Sequence, residues 1–303
     1  MKNIRTLILG ISVLCGVILS SCTESDPNDT TIPAYIEVSA FKVENTPGNS
    51  VSSYEGCFTS DINTVEITVK NDKESCLIGV FELPCRVPVL REGKYDILLK
   101  PCIKLNGISA TRSSYPFYSD VTIKDVNLVP DSTIVVDTQN VHYMSYTNFL
   151  WTEYCEHFVT NPFVPDTGAT IVKIIKNNDT VLSDNGCAAV YLSPDQTEFE
   201  FVRRDSCTHK NYDALILEMD YWTNVPLEVG LKGKNTSGGA EYTLYGISLY
   251  PNQGWQKIYI QLGRLWSNGF SYYPTFKVAF RVSNADGIEG KTYIDNLKLV
   301  AYK

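Results

Sequence analysis

The sequence predicts an all-β protein, a β-sandwich followed by a larger jelly-roll β-sandwich. Three observations predict it. Tyr (19) and Phe (12) are abundant while Met (3) is scarce, the composition of pleated, half-buried surfaces. Short runs in which apolar and polar residues alternate recur from Tyr35 onward, separated by Gly, Pro, Asn and Asp. Beyond the N-terminal leader no amphipathic helical period stands out. With 303 residues, 44% hydrophobic and 20% charged, the chain is long enough for one large or two medium domains, and wholesale disorder is excluded.

The chain begins with Lys2 and Arg5 and then an apolar run from Leu7 to Leu19. That run is short for a permanent membrane helix, which needs about 20 apolar residues, and it reads as a cleavable export signal. Leu19-Ser20-Ser21-Cys22 closes it, and this stretch resembles a bacterial lipobox. The resemblance implies that residues 1–21 are removed and that Cys22 becomes a lipidated first residue, a membrane anchor. An ordinary secretory leader that happens to end near a cysteine is the alternative. Residues 22–34 are polar, acidic and proline-bearing, as a tether would be. Glu24, Asp26 and Asp29 resemble the signal that sends Bacteroidetes-type lipoproteins to the outer face of the outer membrane; a plain solvated linker reads the same way. The formal charge is −8, and loss of Lys2 and Arg5 makes it more negative still. Such a surface is a poor partner for nucleic acid and for anionic headgroups, so membrane attachment falls to the lipid.

Residues 35–144 carry the first set of strands. Ile36, Val38 and Ala40 alternate with polar residues, as do Val65, Ile67 and Val69. Asn71-Asp72-Lys73-Glu74 turns the chain into a hairpin partner bearing Leu77, Gly79, Phe81 and Leu83, which Pro84 and Pro88 end. Further strands are predicted over Tyr95–Leu99, Val121–Val126 and Thr133–Val136. The glycine turn and tyrosine-bearing strand of Val89-Leu90-Arg91-Glu92-Gly93-Lys94-Tyr95-Asp96-Ile97-Leu98, with Thr133-Ile134-Val135-Val136 as a later strand, resemble PEGA-type domains. The resemblance implies a small Ig-like sandwich. A long insertion between Cys102 and Tyr118, centred on Gly107–Arg112, is either a functional loop or a packed connection.

Residues 145–303 repeat the character at larger scale. Leu215, Leu217, Met219 and Tyr221 alternate with Ile216, Glu218, Asp220 and Trp222. Strands follow at Leu227–Leu231, Tyr242–Tyr250, Lys257–Leu262, Phe276–Val282 and Tyr293–Val300, a count that suits a jelly roll. The ending Tyr293-Ile294-Asp295-Asn296-Leu297-Lys298-Leu299 resembles the last strand of galactose-binding-like jelly rolls, the fold of many carbohydrate-binding modules. That fold hosts many roles, so the likeness speaks to architecture first.

Three kinds of chemistry can be drawn from the side chains. Cys155-Glu156-His157 and Cys207-Thr208-His209 are two Cys-x-His elements that would chelate one zinc if brought together, although the usual zinc spacings are wider. A Cys155–Cys207 disulfide and plain coincidence are the competing accounts. The jelly-roll resemblance implies instead a structural calcium, with Glu153, Glu156 and Asp295 at the corresponding places; no cofactor is required by anything in the sequence. Seven cysteines remain after Cys15 and Cys22, an odd number that leaves at least one free thiol in the monomer. Only His142, His157 and His209 are available to a catalytic triad, and there is no nucleophile elbow or phosphate-binding glycine loop, so a non-enzyme is expected. Sugar binding is the sharper expectation. Sugar rings stack on exposed aromatic faces while amides and carboxylates bond the hydroxyls. Trp222, Trp266, Tyr272 and Tyr273 fall at strand ends or loops beside Asn224 and Asn268, whereas Trp255 reads as a buried anchor. The expected protein is thus a lipid-anchored envelope protein that binds glycan without catalysis. A structural lipoprotein docking onto an outer-membrane protein complex is the alternative.

Overall fold

The computed structural model describes residues 32–47, 55–155, 161–166, 170–176, 182, 186–208, 214–234, 240–270 and 273–302. Cys22, Glu156, His157, His209 and Tyr272 lie outside these residues. Among them the secondary structure is almost wholly β, and no helix is long and apolar enough to cross a membrane.

The N-terminal half holds β1 (Ala34–Val38), β2 (Phe41–Val43), β3 (Thr64–Lys70), β4 (Ser75–Glu82), β5 (Cys85–Val89), β6 (Gly93–Lys104), β7 (Arg112–Ser114), β8 (Val121–Leu128), β9 (Thr133–Val136) and β10 (Gln139–Val141). Alternation decides which side of each strand is buried. Ile36 and Val38, Val65, Ile67 and Val69, and Tyr95, Ile97 and Leu99 all point into one core, which also takes in Val87, Val89 and Leu128. The five-stranded sheet β4-β3-β6-β7, with β8 also on β6, packs through that core against β5-β1-β9 and the β10-β2 pair. The predicted hairpin is present, with β3 and β4 antiparallel across the Asn71–Glu74 turn. Pro88 does not end a strand; it sits inside β5, opposite Tyr35. The substitution of a proline for a ladder donor is harmless there because β5 is an edge strand.

The C-terminal half holds β11 (Thr147–Glu153), β12 (Phe163–Pro165), β13 (Lys173–Ile175), β14 (Cys187–Leu192), β15 (Glu198–Arg203), β16 (Cys207–Thr208), β17 (Leu215–Thr223), β18 (Leu227–Lys234), β19 (Glu241–Leu249), β20 (Gln256–Gln261), β21 (Thr275–Ser283) and β22 (Gly290–Tyr302). One sheet runs β13-β14-β22-β17-β20 with β11 beside β22; the other runs β12-β15-β21-β18-β19 with β16 beside β21. Their facing sides enclose Leu215, Leu217, Met219, Leu227, Val229, Phe280 and Leu299.

The two halves are joined by side-chain packing and by backbone. After β6 the chain reaches the free edge of β20, where Leu105 forms a parallel bridge with Tyr259. The Asn106 N–H donates to the Tyr259 carbonyl at 2.7 Å, and the Asn106 side-chain oxygen accepts from the Gln261 N–H at 2.9 Å. Asn106 (φ 57) and Gly107 (φ 69) then turn the chain through the left-handed region that Asn-Gly pairs tolerate. The Gly107 insertion is therefore a packed connection, one that extends the second sandwich's sheet by a segment of the first.

Candidate functional site

Along β17 the residues facing away from the C-terminal core are Ile216, Glu218, Asp220 and Trp222. Register places Val300, Lys298, Asp295 and Tyr293 of β22 beside them, and Gln261, Tyr259 and Lys257 of β20 on the other side. This outer sheet face has three zones. At one end Ile216, Tyr259 and Val300 join the N-terminal core. The middle is polar and covered. At the other end the face emerges from beneath the N-terminal half and turns aromatic.

The middle zone holds charges without water. Glu218 is 0% and Lys298 1% exposed. The Tyr115 hydroxyl donates to one Glu218 oxygen at 2.6 Å and the Tyr143 hydroxyl to the other at 2.8 Å. Lys298 Nζ donates to the same Tyr143 oxygen at 3.1 Å, so tyrosine relays the ammonium to the carboxylate. Burial pushes the Lys298 ammonium down to about 8, against the pull of Glu218. Burial and the Glu218 charge hold Tyr115, Tyr118, Tyr143 and Tyr259 well above the usual phenol range. A second cluster lies one step along. Asp220 accepts from Thr59 Oγ1 at 2.6 Å and Asn296 Nδ2 at 2.8 Å, and Lys257 reaches Thr59 Oγ1 and the Asn296 carbonyl. Glu218 and Asp220 each accept a hydroxyl from the N-terminal half, the kind of pairing buried carboxylates require.

The aromatic zone begins one alternation beyond Asp220. Trp222 and Tyr293 are direct cross-strand partners, with ring centroids 5.2 Å apart and tilted by 35°. Trp255, the residue before β20, lies 6.4 Å from Tyr293 on one side, and Tyr191 of β14 lies 6.0 Å from it on the other. The four rings cross adjacent strands and form a shelf of roughly 14 Å at the usual strand spacing. Tyr293 is buried as the floor, while Trp222, Trp255 and Tyr191 are partly exposed.

From Trp255 the shelf opens into a groove of about 970 Å³ between the two halves. One wall is Tyr250 and Asn252 of the β19–β20 connection with Gln256 at the start of β20, the other Asp61, Asn63, Lys104, Asn106 and Ile108 of the N-terminal half. Its amides are held in place. Asn252 Oδ1 accepts from the Thr223 N–H at 3.0 Å, Gln256 Oε1 from the Tyr221 hydroxyl at 3.1 Å, and Asn63 Nδ2 donates to Asp61 at 3.2 Å. Tyr250 is 73% exposed. Its ring is open to solvent at the mouth.

The sequence-predicted residues fare differently. Trp222 is on the shelf, but Trp266 is 4% exposed and belongs to the C-terminal core with Phe270 and Leu265, so it offers no face to a sugar. The short turns Gly263–Leu265 and Trp266–Phe270 fold that loop inward. Tyr273 packs against Phe270 at 5.4 Å, in that same core region rather than on the shelf. Trp255, read as an anchor, instead lines the groove. Sequence reasoning missed Tyr191 and Tyr293 as shelf residues. Their alternation with Val190 and Ile294 was a signal, weakened because β22 is buried on both faces almost throughout.

Of the predicted metal ligands, Glu153 is engaged by Arg203 at 3.5 Å and by the Cys155 N–H at 3.2 Å. Asp295 is buried, with one oxygen on the Asn296 N–H at 2.8 Å. Among the described residues no three His, Cys, Asp or Glu side chains are grouped to hold a metal. Among the described residues none of the seven cysteines Cys57, Cys76, Cys85, Cys102, Cys155, Cys187 and Cys207 is joined in a disulfide, which corrects the Cys155–Cys207 pairing. Cys155 faces Cys187 and Asp295, whereas Cys207 faces Trp151 and Arg203. The Ser119 hydroxyl lies 3.4 Å from His142 Nδ1, yet it also accepts the His142 backbone N–H at 3.1 Å. Among the described residues no carboxylate bonds that ring, so the pair ties two segments together without the third member a triad needs.

No family model and no curated protein matches this sequence. Among solved structures, one reported for the promiscuous specificity of carbohydrate-binding modules of the β-sandwich superfamily aligns at TM-score 0.37 and 10% identity, over 78% of this chain and 85% of that one. A family 29 carbohydrate-binding module complexed with mannohexaose aligns at TM-score 0.34 and 10% identity, over 51% and 92%. The family 11 module from Clostridium thermocellum, in complex with a β-1,3-1,4-mixed-linked tetrasaccharide, aligns at 0.34 and 15%, over 49% and 94%. At such low TM-scores and identities these likenesses assign neither ligand nor function to this chain.

Proposed function

We propose that this protein binds glycan without chemically altering it, and that sugar rings stack on Tyr191, Trp222 and Trp255, with Tyr293 as the buried floor that holds them in a row. The observation that carries this reading is the row itself: three partly exposed aromatic side chains, Tyr191, Trp222 and Trp255, set side by side on buried Tyr293. Apolar C–H faces of sugars meet such rings, and the fixed amides nearby suit hydroxyl groups. The Leu19-Ser20-Ser21-Cys22 stretch supports a further part of the proposal, that the protein is held by lipid at the outer membrane and meets its glycan at the cell surface. A structural calcium on Glu153, Glu156 and Asp295 remains a proposal that the glycan reading does not need.

A polysaccharide and glycan-array screen with the full-length protein purified in detergent tests the binding. Specific retention that is lost in Trp222→Ala supports the shelf; retention unchanged in that variant removes it as the site. Labelling with a radioactive fatty acid tests the anchor, with incorporation expected in the natural sequence and absent in Cys22→Ala.

A further inference from the structure

The shelf does not stop at the second sandwich, and the groove that continues it has a wall the glycan reading alone does not require. Asp61, Asn63, Lys104 and Asn106 come from the N-terminal half, yet they face Tyr250, Asn252 and Gln256 across one continuous space. Three features make this wall a built surface. The Asp61 N–H donates to the buried Tyr259 hydroxyl at 3.2 Å, which fixes the loop to β20 from the backbone and leaves the carboxylate to Asn63 and the groove. Asn106 is clamped on β20 through its N–H and its side-chain oxygen, so its amide nitrogen is oriented by two bonds it does not itself make. A Cβ added at Gly107 would come to 3.5 Å from Ile258 Cδ1, so the turn lies close against the second half. Rigid placement of polar groups on opposed walls is what a binding site needs and a mere junction does not.

The lining also restricts the ligand. An acidic polymer would meet Asp61, and a cationic one Lys104. A hydroxyl both donates and accepts, so it satisfies carboxylate, ammonium and amide alike. At about 970 Å³ the space is at the large end for small-molecule sites, room for more than one ring beyond those on the shelf. We infer that the two sandwiches build one composite site, in which a neutral polysaccharide chain stacks on the Trp222–Trp255 shelf and continues into the groove, where Asp61 and Lys104 of the N-terminal half bond its hydroxyls. This rests on the glycan reading, and it extends that reading to a chain class and to the half of the protein without aromatic platforms.

The test is affinity electrophoresis of the full-length protein in detergent through gels containing mixed-linkage β-glucan, galactomannan, arabinoxylan or polygalacturonate. Retardation by at least one of the three neutral polymers is expected. Asp61→Ala and Lys104→Ala should each weaken it about tenfold, with cooperative thermal unfolding retained in both variants. If Trp222→Ala abolishes retardation while Asp61→Ala and Lys104→Ala leave it intact, the composite site is wrong and the glycan reading stands. Retardation by polygalacturonate alone overturns the neutral class. No retardation by any of the four polymers overturns the inference together with the reading beneath it.

Discussion

One face of one sheet meets two different fates. Glu218 and Trp222 are two alternations apart on β17 and point the same way, yet Glu218 is sealed beneath Tyr115 and Tyr143 while Trp222 is partly exposed on an aromatic shelf. Local sequence would suggest the reverse, a glutamate in water and a tryptophan inside. The N-terminal half decides the outcome. It brings hydroxyl donors to the charged stretch, where alternation alone would leave polar side chains facing solvent, and it ends at Thr59 beside Asp220. The covered zone spends its polar groups on holding two halves together; the open zone keeps its groups for something outside.

That contrast can be broken most forcefully in the covered zone. Glu218→Ala strands the Lys298 ammonium and two tyrosine hydroxyls, and should cost about 3–5 kcal/mol of stability in a urea titration. Glu218→Gln, which keeps one acceptor oxygen and puts an N–H donor in the other position, should cost less; equal losses would mean the carboxylate charge matters more than its bonds. Trp266→Ala should cost about 3–5 kcal/mol as a core truncation, and a negligible loss would return that residue to the surface. Tyr143→Phe removes only the oxygen that links Lys298 to Glu218, with an expected loss of about 1–3 kcal/mol.

A pH series sharpens the same comparison. Lys298 is depressed to about 8 in the folded protein, so the unfolded chain binds the extra proton between there and the ordinary lysine value, and its contribution to stability rises with pH across that window. The four buried tyrosines are shifted the other way. Their stabilising contribution is complete below the ordinary phenol value of about 10 and is lost as pH climbs above it. Stability should therefore fall steeply above about pH 10, and Tyr118→Phe should flatten the fall; an unchanged slope in that variant would mean Tyr118 is not part of the effect. The smallest stability change belongs to the open zone. Trp222→Ala should shift stability by about 1 kcal/mol or less while abolishing glycan retention.

Much of the fold is legible from alternation. The β3–β4 hairpin, β9, and the runs of β17, β18 and β21 follow from period-two patterns and the turns between them, because one buried face imposes that pattern locally. β5 is not legible, since Pro88 reads as a stop until its edge position is known. The site is less legible than the fold. Trp222 stands out as an aromatic at a strand end, but so does Trp266, and only the inward turn at Gly263–Phe270 separates shelf from core. Tyr191, Tyr293 and Trp255 are far apart in the chain and become a site through strand order alone.

By itself, then, the sequence determined the β class and most strand positions, each a matter of residues within a few positions of one another. Tertiary structure decided which side chains are covered and which are open. Burial on an outer sheet face depends on what another part of the chain lays over it, and Tyr115, Tyr143 and Thr59 reach Glu218 and Asp220 from sequence separations of 75 residues or more.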